Sequence, residues 1–358
     1  MSNNSNGGNS YMLSIIEVRQ RELWDTFVNA QSGGHFLQSW GWGTLKAGAG
    51  WHPLRLALWD TQREQIIGGA QILRRTAAHM PPRLGHLAYI PRGPVLDWSR
   101  RDDTNSTHIS ALFFAQLLPF LRRQGAIALQ VELPFEVGEE HAVQACDALM
   151  AMQFHPVQPV QPIRTIVLDL AAGDDSLLAN MKEKWRYNIR LAGRKGVQVR
   201  VARTQEDVEA WYRLLQITGR RDHFGIHTFD YYWRAWQLFA PRQQAQLLLA
   251  EYEGQLLAGI FVGCMARQAI YLYGASSNEH RNLMPNYLLQ WEAIRWAREQ
   301  GATSYDFWGI PQTDDAGEAM AGVYRFKSGW GGRIVHFAGS YEYVFHPLLM
   351  SMARRITK

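Results

Sequence analysis

The sequence predicts a mixed α/β protein (α+β mixed sheets) built as two similar domains in tandem, and three observations carry that prediction. One order of elements is written twice along the 358 residues. A proline-rich joint, Gln158-Pro-Val-Gln-Pro162, separates the two copies. The stretch 271–310 reads without interruption as strand, loop, helix and strand.

The elements follow in order. Met1 to Ser10 is polar and rich in Asn, Gly and Ser, so residues 1–10 are expected to be a disordered tail and not a signal peptide. The first domain, 11–162, opens its sheet with a hairpin of Leu54–Asp60 and Ile66–Leu73. The apolar run Ala111–Leu121 is broken by Gln116 and Pro119 and is too short to span a bilayer, so it reads as a buried helix. That helix, Leu112–Gln124, stops at Gly125 and is followed by a strand, Ala126–Leu133. The second domain, 163–334, starts with a strand at Thr165–Leu170 and repeats the hairpin as Gln246–Tyr252, the turn Glu253-Gly254, and Leu256–Val262. Tyr271–Ala275 is its next strand, Pro285 opens the helix Tyr287–Gln300, Gly301 ends it, and Ala302–Trp308 closes the copy. The helix ends match as Arg123-Gln-Gly-Ala126 and Glu299-Gln-Gly-Ala302. A last strand over Val335–Phe345 is expected to return to the first domain, which residues 335–358 would complete.

Composition bounds the function. A chain with 47% hydrophobic and 19% charged residues buries a large core. Cys146 and Cys264 are the only cysteines, which favours a reducing, cytoplasmic setting, and no His/carboxylate spacing suited to a metal occurs. Fourteen Trp and 14 Tyr serve either a Trp-rich core or aromatic-lined grooves. The net charge of +5 is concentrated. Between Met181 and Arg200 seven Lys/Arg face one acid, Glu183, and Lys182, Arg186, Arg190 and Arg194 recur every four residues along one side of a helix. Such a stripe suits nucleic-acid phosphates, a solvated helix face, or an anionic membrane.

The loop in 271–310 narrows the chemistry. Acetyltransferases of the common (GNAT) kind place an Arg/Gln-x-x-Gly-x-Gly/Ala loop before this helix, whose backbone N–H groups hold the coenzyme A pyrophosphate. Here the hexad is Arg281-Asn-Leu-Met-Pro-Asn286, in which a side chain and a proline replace the glycines. An acyl-transfer scaffold with a different donor is the expectation, and no cofactor is expected.

Five segments in one order, Phe36-Leu-Gln-Ser-Trp-Gly-Trp-Gly-Thr-Leu-Lys46, Tyr89-Ile-Pro-Arg-Gly-Pro-Val95, Met181–Arg194, Tyr271–Ile310 and Val323-Tyr-Arg-Phe-Lys-Ser-Gly329, resemble the FemABX family of non-ribosomal peptidyltransferases. The similarity runs from Glu17 to Glu342. It implies two tandem GNAT-like domains and transfer of an aminoacyl group from aminoacyl-tRNA to the stem-peptide amine of a peptidoglycan precursor, UDP-MurNAc-pentapeptide or lipid II. The coiled-coil insertion of staphylococcal-type members is missing after Met181–Val197. In this resemblance Lys327, in the pair Phe326-Lys327, stabilises the oxyanion; without it Lys327 reads as a surface lysine beside a Gly-rich turn. Lys46 implies a contact to the acceptor's phosphates, to which Arg92 adds charge, with Trp42, Tyr273 and Asn286 completing the acceptor site. His227 stands where the family has an arginine, which implies either an acceptor with a different head group or a takeover by Arg220 or Arg221. Glu132 implies a seat for the acceptor's ammonium, or a hydrogen-bonded carboxylate at a strand end. Lys182, Arg186, Arg190 and Arg194 imply the tRNA contact. The alternative is an N-acyltransferase using acyl-CoA or another donor on a cell-surface or polysaccharide precursor. The apolar and basic segment 345–358 reads as a packed terminal helix or as a peripheral contact with the membrane's cytoplasmic face.

Overall fold

A computed structural model describes residues 13–76, 85–102, 106–313 and 321–356, and the expected tail 1–10 lies outside them. Residues 13–157 supply strands β1 (Leu13–Glu17), β2 (His52–Asp60), β3 (Gln65–Arg75), β4 (His86–Ile90), β5 (Val95–Leu96), β6 (Ala126–Glu132) and β7 (His155–Val157). The same part contributes helices α1 (Arg21–Ala30), α2 (Trp40–Ala47), α3 (Ile109–Arg123) and α4 (Glu140–Ala151). Residues 164–336 supply β8 (Arg164–Asp169), β9 (Gln198–Val201), β10 (Ala245–Tyr252), β11 (Gln255–Met265), β12 (Gln268–Ser276), β13 (Ser304–Gly309) and β14 (Arg333–His336). Their helices are α5 (Asp174–Asn180), α6 (Glu183–Arg194), α7 (Gln205–Asp222), α8 (Phe229–Phe239), α9 (Pro285–Glu299) and α10 (Ala321–Lys327). The chain ends with β15 (Ser340–Val344) and α11 (Pro347–Ile356).

Two mixed sheets result. The first runs β1-β2-β3-β4-β6-β15-β7, with β5 also paired to β3, and the second runs β14-β8-β13-β12-β11-β10-β9. The strand expected over 335–345 is in fact two. Arg333–His336 pairs with β8 in the second sheet, and Ser340–Val344 inserts between β6 and β7 in the first. Gly339, at φ 88°, sits in the three-residue link that lets the chain turn between sheets.

Local chemistry explains the regular parts. Glu253 and Gly254 both have positive φ, which suits the two-residue turn joining β10 to β11. Thr204 and Asp207 form a reciprocal cap on α7. Pro285 takes the first position of α9, as its missing N–H permits.

The domains share a core. Trp24, Phe36 and Trp42 of the first pack in one buried cluster with Trp211, Phe239 and Phe261 of the second. Phe36 and Phe239 lie 4.7 Å apart, and glycines make room for them: a Cβ on Gly41 would meet Phe239 at 2.4 Å, and one on Gly263 would meet Phe36 at 2.7 Å. Truncating a fully buried Phe of this kind costs about 3–5 kcal/mol, so the joint is rigid.

Candidate active site

The parallel strands β12 and β13 pair only at Gln268–Ser304, Ala269–Tyr305 and Ile270–Asp306, and then part. Lys327, at the end of α10, fills the opening. Its Nζ donates to the Gly309 carbonyl at 2.8 Å and reaches the Trp308 carbonyl at 3.4 Å, and it lies 5.5 Å over the Tyr271 ring. An ammonium has three N–H bonds, so one is left to aim at a substrate oxygen. Only 6% of Lys327 is exposed, and burial pushes its ammonium down to about 8, with Asp306 opposing that shift.

The carbonyls that hold Lys327 belong to a distorted stretch. Trp308 has φ 62°, where β13 slips register between Asp306 and Gly309. Asp306 Oδ1 accepts the Trp308 N–H at 2.7 Å, and the Thr165 hydroxyl is shared between Asp306 Oδ1 and the Trp308 carbonyl. Asp306 is fully buried and its Oδ2 has no hydrogen-bond partner among the described residues. Burial raises its carboxyl, held back by Thr165, the Trp308 N–H, Arg92 and Lys327.

A bulge in β12 sorts two tyrosines. Tyr271 pairs with Val262 and Tyr273 with Phe261, which leaves Leu272 out of register. Tyr271 therefore packs with the second domain's own core, while Tyr273 packs with the shared core. At the shared core α2 brings Lys46 and α8 brings Tyr231. Lys46 Nζ donates to the Tyr231 hydroxyl at 3.0 Å and lies 4.6 Å from the Trp42 ring centre. The Tyr231 and Tyr273 hydroxyls are 3.3 Å apart, and the exposed His227 ring stacks on Tyr231 at 3.9 Å. Burial pushes the Lys46 ammonium down to about 8, and burial with the Lys46 charge lowers His227. Lys46, Trp42, Tyr273 and His227 thus form one cluster; Tyr231 completes it and sequence reasoning missed it. Its signal was the aromatic run Phe229-Asp-Tyr-Tyr-Trp233 directly after His227.

Other expected site residues are used elsewhere. Arg92 is 2% exposed, and its guanidinium donates to the Leu133 carbonyl at 3.3 Å and the Pro162 carbonyl at 2.5 Å while stacking on Phe337 at 3.7 Å. It is a strut of the joint and has no open face for a phosphate. Glu132 is 1% exposed: Oε1 accepts the Val160 and Gln161 N–H groups and Oε2 the Tyr89 hydroxyl, so its carboxylate anchors the 158–162 joint and is filled. Arg221 donates to the Ser276 carbonyl and Asn278, and Arg220 is exposed. Asn286 is half-buried in the first turn of α9. Phe326 packs edge-on against Tyr287 and Trp330, and its carbonyl accepts the Trp185 indole N–H. In the basic stripe Lys182, Arg190 and Arg194 are exposed, but Arg186 donates to the carbonyls of Leu178, Ala179 and Met181 and so fastens the end of α5.

The loop before α9 has no anion cradle. Arg281–Leu283 is a 3₁₀ turn, Met284 is left-handed at φ 55°, and the N–H groups of Leu283, Met284 and Tyr287 donate to His280, Arg281 and Met284 carbonyls. Pro285 has no N–H, so Leu283, Met284 and Pro285 in the middle of the hexad offer a pyrophosphate no free donor.

The sequence profile of the FemAB family matches residues 20–145, 150–255 and 243–358. The chain belongs to the FemAB family. Curated relatives include the lipid II:glycine glycyltransferase of Staphylococcus saprophyticus, 26% identical over 401 aligned positions that cover 93% of each chain. The protein of the same name from Staphylococcus aureus strain MRSA252 is 25% identical over 406, with the same coverage of each. Among solved structures, FemX superposes with a TM-score of 0.84 at 23% identity, over 95% of this chain and 99% of that one. A tandem GNAT protein from the clavulanic acid pathway superposes at 0.53 with 12% identity, over 93% and 98%. The fold is therefore the tandem acetyltransferase-like arrangement of this family, as the strand–loop–helix–strand pattern had led us to expect.

Proposed function

We propose that this chain is an aminoacyltransferase of peptidoglycan bridge formation. It moves an aminoacyl group from aminoacyl-tRNA to the stem-peptide amine of lipid II or of its soluble UDP-MurNAc-pentapeptide counterpart. The observation that carries the reading is end-to-end relationship to lipid II:glycine glycyltransferases, joined to a lysine set in the opening between β12 and β13 with one N–H unspent.

The chemistry asks little more of the protein. An aminoacyl ester is already activated, and holding amine and ester together supplies several kcal/mol. As the amine attacks the ester carbon, negative charge grows on the carbonyl oxygen, and the unspent N–H of Lys327 meets it. The bond from that carbon to the ribose oxygen then breaks, and the proton given up by the attacking amine leaves on the tRNA's 3′ oxygen as its hydroxyl. One donor of this kind is worth about 2.7–4 kcal/mol. Lys46 binds the acceptor's diphosphate, with Tyr231 and Trp42 fixing its direction and His227 at the rim. Lys182, Arg190 and Arg194 lie along the path of the tRNA. The spent N–H groups before α9 weigh against coenzyme A as the donor. Among the described residues no helix is long and apolar enough to cross a membrane, and α11, with Leu348 84% exposed beside Arg355, is the surface that would rest on one.

The test is a transfer assay with tRNA charged with labelled amino acids and both acceptors, with Lys327→Ala and RNase-treated tRNA as controls. Label on the acceptor only with intact tRNA and Lys327 is the expected result. Transfer from an acyl-CoA in its place would overturn the donor.

A further inference from the structure

We propose that Asp306 is a positioning residue for Lys327: acting with Thr165 through the Trp308 bulge, it fixes the two carbonyls that hold the ammonium and supplies its countercharge. The inference rests on the reading of Lys327 as the group that meets the oxyanion. No motif carried Asp306 forward, because a carboxylate in the middle of Tyr305-Asp-Phe-Trp308 reads as one polar residue in an apolar strand.

Left-handed backbone at a tryptophan is strained and persists only where neighbours enforce it. Asp306 Oδ1 holds the Trp308 N–H, Thr165 holds both Asp306 and the Trp308 carbonyl, and Lys327 Nζ then finds the Trp308 and Gly309 carbonyls side by side. β13 brings Asp306 and β12 the neutral Tyr271; β8 brings Thr165 and Arg164, whose guanidinium donates to the Pro311 carbonyl; the first domain brings Arg92, two of whose donors go to carbonyls. Among the described residues Asp306 is the one acid whose charge favours the Lys327 ammonium against burial. Its unpartnered Oδ2 is the cost of that arrangement: a buried oxygen left without a donor is tolerated where charge is needed.

Two readouts test it. One is the pH profile of aminoacyl transfer. The other is competitive acetylation of the Lys327 amine in the resting protein, followed by mass spectrometry, which needs no turnover. In Asp306→Asn, which keeps the side-chain acceptor and the shape, the alkaline limb of kcat and the labelling midpoint both move down by about one pH unit, with acceptor KM unchanged. Thr165→Val lowers kcat about tenfold, and Thr165→Ser restores it. Wild-type labelling midpoint and limb in Asp306→Asn, with Lys327→Ala inactive, would sink the proposal while leaving the role of Lys327 intact. Full turnover in Lys327→Ala would instead remove the role on which the proposal rests. Should Asp306→Asn fail to fold, the Thr165 pair decides: equal rates for Val and Ser remove the bulge as a positioning device.

Discussion

Lys46 and Tyr231 stand 185 positions apart in the chain, yet the Lys46 ammonium donates to the Tyr231 hydroxyl at 3.0 Å across the joint between the domains. The proposed acceptor site is thus made by neither domain alone. It exists because Phe36, Phe239 and their facing glycines lock α2 against α8.

Lys46→Ala is expected to raise the acceptor KM at least about tenfold while kcat changes less than threefold, since the charge lost is the one proposed to bind a diphosphate and not the reacting carbonyl. Acceptor affinity should also fall as pH rises through about 8, where Lys46 loses its proton. Steady-state kinetics between about pH 6.5 and 9 with the tRNA saturating measures both.

Lys327→Met is expected to cut turnover by about tenfold or more without lowering the melting temperature at pH 7. A lysine titrating at about 8 when folded, against an ordinary 10.5, costs stability while it is charged, and the cost fades as pH rises from about 8 to 10.5. Wild type should therefore gain on the variant across that window. Melting curves at pH 7 and pH 9.5 settle the sign, and a variant that melts well below wild type at pH 7 would contradict it.

Glu132→Ala and Arg92→Met are expected to lose about 2–4 kcal/mol of stability, because each orphans several buried partners. Acceptor KM in the folded fraction should stay near wild type. A large rise in KM with stability intact would restore the substrate roles their positions in sequence suggested.

Gly274→Ala is expected to lower kcat more than it raises KM. Its Cβ would come 1.9 Å from the Tyr271 hydroxyl, and the ring that would have to move lies beneath Lys327. Kinetics beside a melting curve separates the local displacement from general damage.

Arg190→Ala and Arg194→Ala should each flatten the salt dependence of tRNA binding by about one phosphate's worth, with melting unchanged. Arg186→Ala should do the reverse, since three carbonyls at the end of α5 lose their donor.

Much of the architecture was legible because it rests on local rules. The turn Glu253-Gly254, the stop at Gly301 and Pro285 at the start of α9 are each fixed by backbone chemistry that a short window contains. Motifs singled out Lys46 and Lys327, which the fold places against the Tyr231 hydroxyl and the Gly309 carbonyl. What stayed hidden depends on distant partners. Arg92 read as a free charge, and Glu132 stayed open between a seat for an ammonium and a hydrogen-bonded carboxylate, because Pro162, Val160 and Gln161, which occupy them, lie 70, 28 and 29 positions away. Arg186 kept the stripe's spacing while turning inward to α5. The split at 333–344 was unreadable for a related reason: both halves are good strands, and only the two sheets' open edges decide that one pairs with β8 and the other with β6.

The position of β15 governs how this protein is made. It sits between β6 and β7 yet follows the whole second domain, so while the ribosome reads from residue 157 to residue 340 the first sheet has a missing strand. At roughly 5–20 residues per second that gap stays open for on the order of ten seconds or more, with the edge of β6 available to any passing strand. All strands of the second sheet are therefore synthesised before the first sheet can close, and the half that began synthesis is the last to be complete.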